Sequence, residues 1–253
     1  MGNLLTKKLE QFVRFSPAER QRLDQLAEKR RKTYAPGELI FKEGKKAEFV
    51  LLVVSGLAAR CKILSEGRRQ IMAFLIPGDL CDVEGFVLNA MDHDIVAVTE
   101  TVCAQLAVAD VEELLTEMSA LTRALWWSTM TESAVLRERI IDQGSRDARE
   151  RICHLLYEML VRYRVVGLAN SHSFPFPITQ EQLADATGMT PVHVNRTLSE
   201  LKTEGLIRWK DKTVSILDVP RLKEIAQFDG CYLHLERTFQ GDAEVAERAG
   251  DLL

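Results

Sequence analysis

The sequence predicts an α+β chain with a glycine-punctuated β domain first, a long helix next and a winged helix-turn-helix last. Three observations carry that reading. Between residues 33 and 109, strand-length runs rich in Val, Ile, Leu and Phe alternate with turn residues, and glycines stand at 37, 44, 56, 67, 78 and 85. From Asp110 the chain passes more than thirty residues without proline or glycine. Nearer the C-terminal end, two short helical segments with N-terminal cap signals meet at Gly188, and two short strand-like runs follow.

Taken in order, residues 4–31 read as one or two short helices. Ser16 precedes Pro17 and Glu19 in a helix-start pattern, and Leu23 and Leu26 follow on one face. The runs ELIFKE, EFVLLVVSG, LAARCKIL, RRQIMAFLIPG and DIVAVTETVCAQLAVA are separated by turn signals every eight to twelve positions, the spacing of an all-β barrel or sandwich. SEGRRQ reads as a hairpin turn between two of them. DVEELLTEMSALTRALWWSTMTESAVLRERIIDQ is expected as one long helix whose Trp127, Met130, Ala134 and Ile141 share a stripe, interrupted by Arg137. Its length exceeds the side of a small barrel, so the stripe is expected to face a second copy of the chain in a parallel pair. Gly144-Ser145 and the charged RDARER then open a further helix through Ile152, Leu155, Leu156 and Met159, and GLANSHSFPFP reads as a loop. The expected division is a β domain with its N-terminal helices over 1–110, a dimerisation helix over 111–145, a winged helix over 146–227 and a tail over 228–253.

Composition narrows the function classes. The formal charge is -4 and the isoelectric point about 5.8, so a nucleic-acid partner would be held by a local patch and not by the field of the whole chain. No apolar run has the length of a bilayer span, and no secretion signal is read, so no membrane partner and a cytoplasmic protein are expected. MGNLLT fits the loose N-myristoylation pattern and is read as a chance match. Cys61, Cys81, Cys103, Cys153 and Cys231 lie far apart with no CxxC, and are read as reduced structural thiols. No spacing of Ser, His and Asp or of Cys and His suggests a nucleophile, so an enzyme is not expected.

PITQEQLADATGMTPVHVNRTLSELKTEGLIRW is the most informative stretch. Thr179 with Gln182 forms a capping box, Gly188 can take the left-handed conformation of a sharp turn, and Thr190-Pro191 starts a second helix that Gly205 ends. Ala184, Gly188 and Val194 stand where a helix-turn-helix needs a small residue, the turn and a buried β-branched side chain, with Leu183, Met189 and Leu198 completing the core. In LIRWKDKTVSILD, two strand-like runs around Asp211-Lys212 make a wing. The second helix turns Thr190, Val192, Asn195, Arg196 and Ser199 away from the core. An arginine there can bond guanine O6 and N7, and an asparagine can do the same for adenine; the alternative for Arg196 is an i,i+4 pair with Glu200. His193 either touches phosphate or packs, and Lys210 and Lys212 either meet phosphate or keep the turn solvated. Thr179 completes this candidate DNA-binding set. Residues 176–226 hold seven Lys/Arg and seven Asp/Glu, so binding would rest on arrangement and on the avidity of a dimer.

These segments together resemble the Crp/Fnr family of bacterial transcription regulators over roughly residues 10–225. YAPGELIFKEGKKAEFVLLVVSGLA is similar to the family's first strands, IPGDL to the entry of its ligand loop, and ITQEQLADATGMTPVHVNRTLSELKTEGLI to its DNA-reading segment. The resemblance implies a double-stranded β-helix (a β-roll, or jelly roll) like a cyclic-nucleotide-binding domain. It also implies a homodimer on a palindromic double-stranded DNA site, an effector that shifts the dimer through the long helix, and RNA polymerase as a further partner. Many members place an acidic residue near the start of the recognition helix, where this chain has Val192, while the following arginine is retained as Arg196. Members that bind cyclic AMP carry a Gly-Glu pair and then an Arg-Ser or Arg-Thr pair. Here Glu84 precedes Gly85, and the arginine position falls near His93-Asp94. Members with an iron–sulfur cluster use N-terminal cysteines, and this chain has none before Cys61.

The stretch GDLCDVEGFVLNAMDHDIVAV, residues 78–98, carries five acids, one histidine and no lysine or arginine. A cyclic phosphate there would meet Asp94 instead of an arginine, a like-charge contact, so cyclic AMP is disfavoured and no cofactor is identified. Cys81, Asp82, Glu84, His93 and Asp94 form the candidate effector pocket. Three readings stay open: a small-ligand site, a metal held by His93 with Glu84, Asp92 or Asp94, and a polar surface loop in a regulator that needs no small ligand.

Overall fold

The computed structural model describes residues 3–81, 83, 88 and 90–235. The chain divides into two units, Met1–Met130 and Thr131–Leu253. In the first, α1 (Leu4–Leu9) and α2 (Pro17–Glu28) precede the strands, and Ser16 caps α2 in a reciprocal box with Glu19. One antiparallel sheet runs in the order β1 (Arg31–Tyr34), β8 (Thr101–Ala107), β3 (Phe49–Ser55), β6 (Leu80–Cys81). The other runs β2 (Leu39–Phe41), β7 (Asp94–Ala97), β4 (Ala58–Ile63), β5 (Arg69–Leu75). Tyr34, Leu51, Val53, Cys81 and Cys103 from the first sheet meet Ile40, Ala58, Leu75, Ile95 and Ala97 from the second in the interior of a β-roll. The opposite face of the first sheet offers Val50, Leu52, Leu80, Ala104 and Leu106 to the helices. With both faces covered, β3 reads as an unbroken apolar run and does not alternate with polar residues. Gly56 joins β3 to β4 at φ 90°, where a Cβ would lie 2.3 Å from the Glu100 carbonyl oxygen.

The stretch expected as one long helix is two: α3 (Val108–Glu117) and α4 (Ser119–Gly144), broken at Met118. The Thr122 hydroxyl donates to the Leu115 carbonyl at 2.8 Å, so a side chain takes up an acceptor that the break strands, and no proline or glycine marks the site. The expected apolar stripe is also corrected. Trp127 stacks on Phe12 with ring centroids 5.9 Å apart, and Ala134 is buried. The exposed apolar residues of α4 are Trp126, Met130, Ile140 and Ile141, with Arg137 exposed among them. Trp126, Met130, Arg137 and Ile140 keep the three/four spacing of a heptad seam.

In the second unit, α5 (Ala148–Val165) starts within the RDARER run, at an Asp147 cap that forms a capping box with Glu150. The segment read as a loop contributes β9 (Ser173–Pro175), because Phe174 is buried and pairs with Val214. It extends the wing to three strands, β10 (Ile207–Lys210), β11 (Thr213–Ile216) and β9. Phe174 and Phe176 link Tyr163 to Trp209 in an aromatic row, with Tyr163–Phe174 at 5.5 Å and Phe176–Trp209 at 5.7 Å. After α8 (Val219–Ile225), the start of the expected tail is packed: Phe228, Leu233 and Leu235 are buried.

A buried ionic network joins the end of α4, α5 and this last segment. Arg139 donates to Asp142 and Glu158, both at 2.7 Å, and Arg146 donates to Asp142 at 2.7 Å and Glu138 at 2.6 Å. Tyr232 donates its hydroxyl to the second Glu158 oxygen at 3.0 Å, and burial beside Glu158 holds that phenol well above its ordinary range. His154 is fully buried, 3.5 Å from both Asp142 and Glu138, and desolvation lowers its pKa. Burial pushes the Cys103 and Cys153 thiols up to about 12, so both are protonated packing groups. No helix among the described residues is long and apolar enough to cross a membrane.

Candidate nucleic-acid interface

The site is built from α6 (Gln180–Thr187) and α7 (Pro191–Thr203). The Thr179 hydroxyl accepts from the Gln182 N–H at 3.1 Å, while Gln182 Oε1 accepts from the Thr179 N–H at 2.9 Å. At the end of α6, Gly188 sits at φ 65°, ψ 31°, and its N–H donates to the Ala184 carbonyl. A Cβ on Gly188 would lie 2.2 Å from Gln143 Oε1 at the end of α4. Arg151 on α5 donates to the Thr187 carbonyl at 2.7 Å, and Gln143 Nε2 donates to the Ala186 carbonyl at 3.4 Å. The turn is thereby held from outside the motif, a contribution of Gln143 and Arg151 that the sequence alone left unmarked. Thr190 caps α7 through the His193 N–H at 3.3 Å, and Pro191 occupies the first helical position, where no N–H is needed.

Val194, Thr197, Leu198 and Leu201 bury one face of α7. Thr190, Val192, Asn195, Arg196 and Ser199 are exposed, as the periodicity predicts, and His193 is half-buried. Arg196 is 69% exposed with Nε 4.0 Å from Glu200, the outer limit of an ion pair, so its guanidinium is available to a ligand. Asn195 donates to Gln180 Oε1 at 3.0 Å, a link across fifteen positions of sequence, and Ser199 donates to the Asn195 carbonyl at 2.9 Å. The hydroxyls of Thr179 and Thr190 are occupied as caps. The wing turns at Asp211 (φ 50°) and Lys212 (φ 63°), the two left-handed residues of a type I′ hairpin, and presents exposed Lys210 and Lys212. Neutral, cationic and apolar groups are thus exposed on α7 and the wing turn.

The described candidate effector residues have different surroundings. Cys81 lies in the roll interior, His93 is buried with Nδ1 2.5 Å from Asp92, and Asp94 accepts from the Glu43 N–H at 2.7 Å. Asp82 and Glu84 lie outside the described residues. Lys62 donates to Glu43 at 2.5 Å, which raises the lysine's pKa, and to the Asp92 carbonyl at 2.7 Å. Asp79 is buried, accepting from Lys8 at 2.7 Å and from the Ile76 N–H at 2.8 Å. Among the described residues, no three His, Cys, Asp or Glu side chains gather as a metal ion needs. Arg60, which sequence reasoning passed over, is buried on β4 opposite Ile95 of the roll interior. A single basic residue in a strand gives no periodic signal of burial.

Comparison with known proteins matches these two parts separately. Residues 31–118 match the cyclic nucleotide-binding domain family, and residues 150–225 match the Crp-like helix-turn-helix domain family. Transcriptional activator protein FnrL of Cereibacter sphaeroides is 30% identical over 202 residues, covering 78% of this chain and 81% of that protein. Nitrogen fixation regulation protein FixK of Bradyrhizobium diazoefficiens is 29% identical over 198 residues, covering 78% of this chain and 82% of its own. The solved structure of FixK2 from Bradyrhizobium japonicum aligns with a TM-score of 0.70 and 28% identity, over 78% of this chain and 96% of that one. With a β-roll, a long helix and a winged helix-turn-helix in the same order, the chain belongs to the Crp/Fnr family of transcription regulators.

Proposed function

We propose that the protein acts in the cytoplasm as a homodimer on a palindromic DNA site, with one α7 in each of two successive major grooves and RNA polymerase as a further partner. The observation that carries this reading is the exposed face of α7, where Arg196 and Asn195 stand clear of the core on a helix fixed at its N-terminal turn. The dimer reading is supported by the exposed Trp126, Met130 and Ile140 on the 26-residue α4. Lys210 and Lys212 on the wing, and His193, contact phosphate in this reading.

In the β-roll we propose that cyclic AMP is not the effector. By the family resemblance the arginine that would meet a cyclic phosphate falls near His93-Asp94, and Asp94 accepts from the Glu43 N–H. The interior packing of Tyr34, Leu51, Val53, Ile95 and Cys103 supports a roll that signals through its shape or a protein contact. Selection of bound duplexes from random DNA, with and without cell extract, tests the regulator reading. Enrichment of a palindrome is expected, and failure to enrich one in either condition overturns it. Calorimetric titration with cyclic AMP tests the second point, and saturable binding overturns it.

A further inference from the structure

Val192 is 81% exposed, more than Trp126 at 67% or Ile140 at 72% on α4. It is the second residue of α7, directly after Pro191, so it stands at the end of a recognition helix that meets base edges. Neither the Thr190 cap nor the buried Val194 face makes use of it. A solvated helix start favours polar or acidic side chains, and a bare β-branched residue gives this turn neither helix propensity nor a favourable dipole contact.

Resting on the reading of α7 as the recognition helix, we infer that Val192 is a specificity determinant that contacts the 5-methyl group of a thymine near the guanine taken by Arg196. Val192 and Arg196 are four residues apart and share a face, which sets them about 6 Å apart along the axis. Successive base pairs rise about 3.4 Å, so the two side chains address base pairs one or two steps apart. On the major-groove edge the other bases present donors and acceptors, and the apolar group is the thymine methyl. Valine can neither accept from a cytosine amino group nor donate to guanine, so a C·G pair in that position leaves a polar group desolvated against two methyls. The side chain is short and has one stiff torsion, so docking it orders little that was free. The polar readout falls to Arg196, whose Nε lies 4.0 Å from Glu200, while Asn195 Nδ2 is held by Gln180.

The test uses the full-length protein and the palindrome obtained by selection. Each thymine of the half-site is replaced in turn, in both half-sites, by deoxyuridine, which removes the 5-methyl and nothing else. One such position is expected to weaken wild-type binding about fourfold per half-site and about fifteenfold for the dimer, the factor that roughly 0.8 kcal/mol for one buried methyl corresponds to. The Val192→Ala protein, altered only at an exposed side chain, is expected to bind the palindrome but to lose its response to deoxyuridine at that position. Val192→Glu, which places an acceptor there, is expected to move the preference at that base pair from thymine toward cytosine. If the palindrome is bound and no deoxyuridine weakens it, Val192 reads no thymine and the inference is overturned while the regulator reading stands. Equal deoxyuridine sensitivity in wild type and Val192→Ala also overturns it. If no palindrome is selected, both fall.

Discussion

On α7, Arg196 is 69% exposed with its nearest carboxylate 4.0 Å away, and Val192 faces solvent over most of its surface. In the stretch from Gly78 to Val98, Asp79 is buried against Lys8 and the Ile76 N–H, Asp92 is bonded to His93, and Asp94 holds the Glu43 N–H. Both regions are dense in side chains that could bind a ligand. On α7, the folding work is done by Thr190, Pro191, Val194 and Leu198, with Asn195 held by Gln180 and Ser199 by the Asn195 carbonyl, which leaves Val192 and Arg196 turned outward without a short hydrogen bond. In the loop region, the described acids are themselves the structural hydrogen-bond acceptors. A polar residue is a candidate for recognition only when the fold does not already need its lone pairs, and that accounting separates the two regions more sharply than charge does.

Four substitutions or conditions probe this contrast. The largest effect is expected from Glu158→Leu, which leaves Arg139 short of a buried partner and Tyr232 without its acceptor. Thermal or denaturant unfolding should show a loss of about 3–5 kcal/mol, the range for breaking one side of a buried ion pair. Wild-type stability in that variant would mean that the network holds nothing.

Arg196→Ala should leave unfolding unchanged and weaken binding to the selected palindrome by about 1–3 kcal/mol per half-site, with a much smaller loss on scrambled DNA. Equal losses on both duplexes, read by fluorescence anisotropy, would place Arg196 on phosphate instead. The third probe is pH. Desolvation first, helped by Arg146 and Arg139 and opposed by Asp142 and Glu158, lowers the His154 pKa below that of the unfolded chain. The neutral imidazole is therefore the form that the fold favours. Its stabilising contribution is complete above about pH 6.5 and is lost as pH falls from there through the lowered folded value. His154→Leu should flatten the melting temperature against pH in that window, and an unchanged slope would assign the acid sensitivity elsewhere. The smallest effect is expected from Asp94→Asn, which keeps an acceptor for the Glu43 N–H. It should cost about 1 kcal/mol or less and leave palindrome binding intact. A loss of DNA specificity in this variant would erase the contrast between the two regions.

Much of the exposed face of the helix-turn-helix was legible in the sequence because its signals are local. A capping box, a left-handed glycine, a first-turn proline and a 3.6-residue period each act within a few positions, so Thr179, Gly188, Thr190 and the outward set on α7 could be read directly. The same holds for the strand-and-glycine rhythm of the β-roll and for the Asp211-Lys212 turn. The break at Met118 had no such mark, since a threonine hydroxyl four residues on relieves it. On α4, periodicity gave more than one apolar stripe and could not say which would be covered. Phe12 stacking on Trp127 decided that, and it left Trp126 outward.

Sequence by itself therefore determined the succession of β domain, helical stretch and winged helix, the family, the motif and the face of α7 that a ligand can reach, because those follow from short-range backbone geometry and periodic burial. Only the tertiary structure decided which polar groups are already used. Gln180 holds Asn195 across fifteen positions, Gln143 closes on Gly188 from another helix, and Tyr232 reaches Glu158 across seventy-four. Whether a buried lone pair or cation is satisfied depends on partners distant in the chain, and no local pattern encodes that distance.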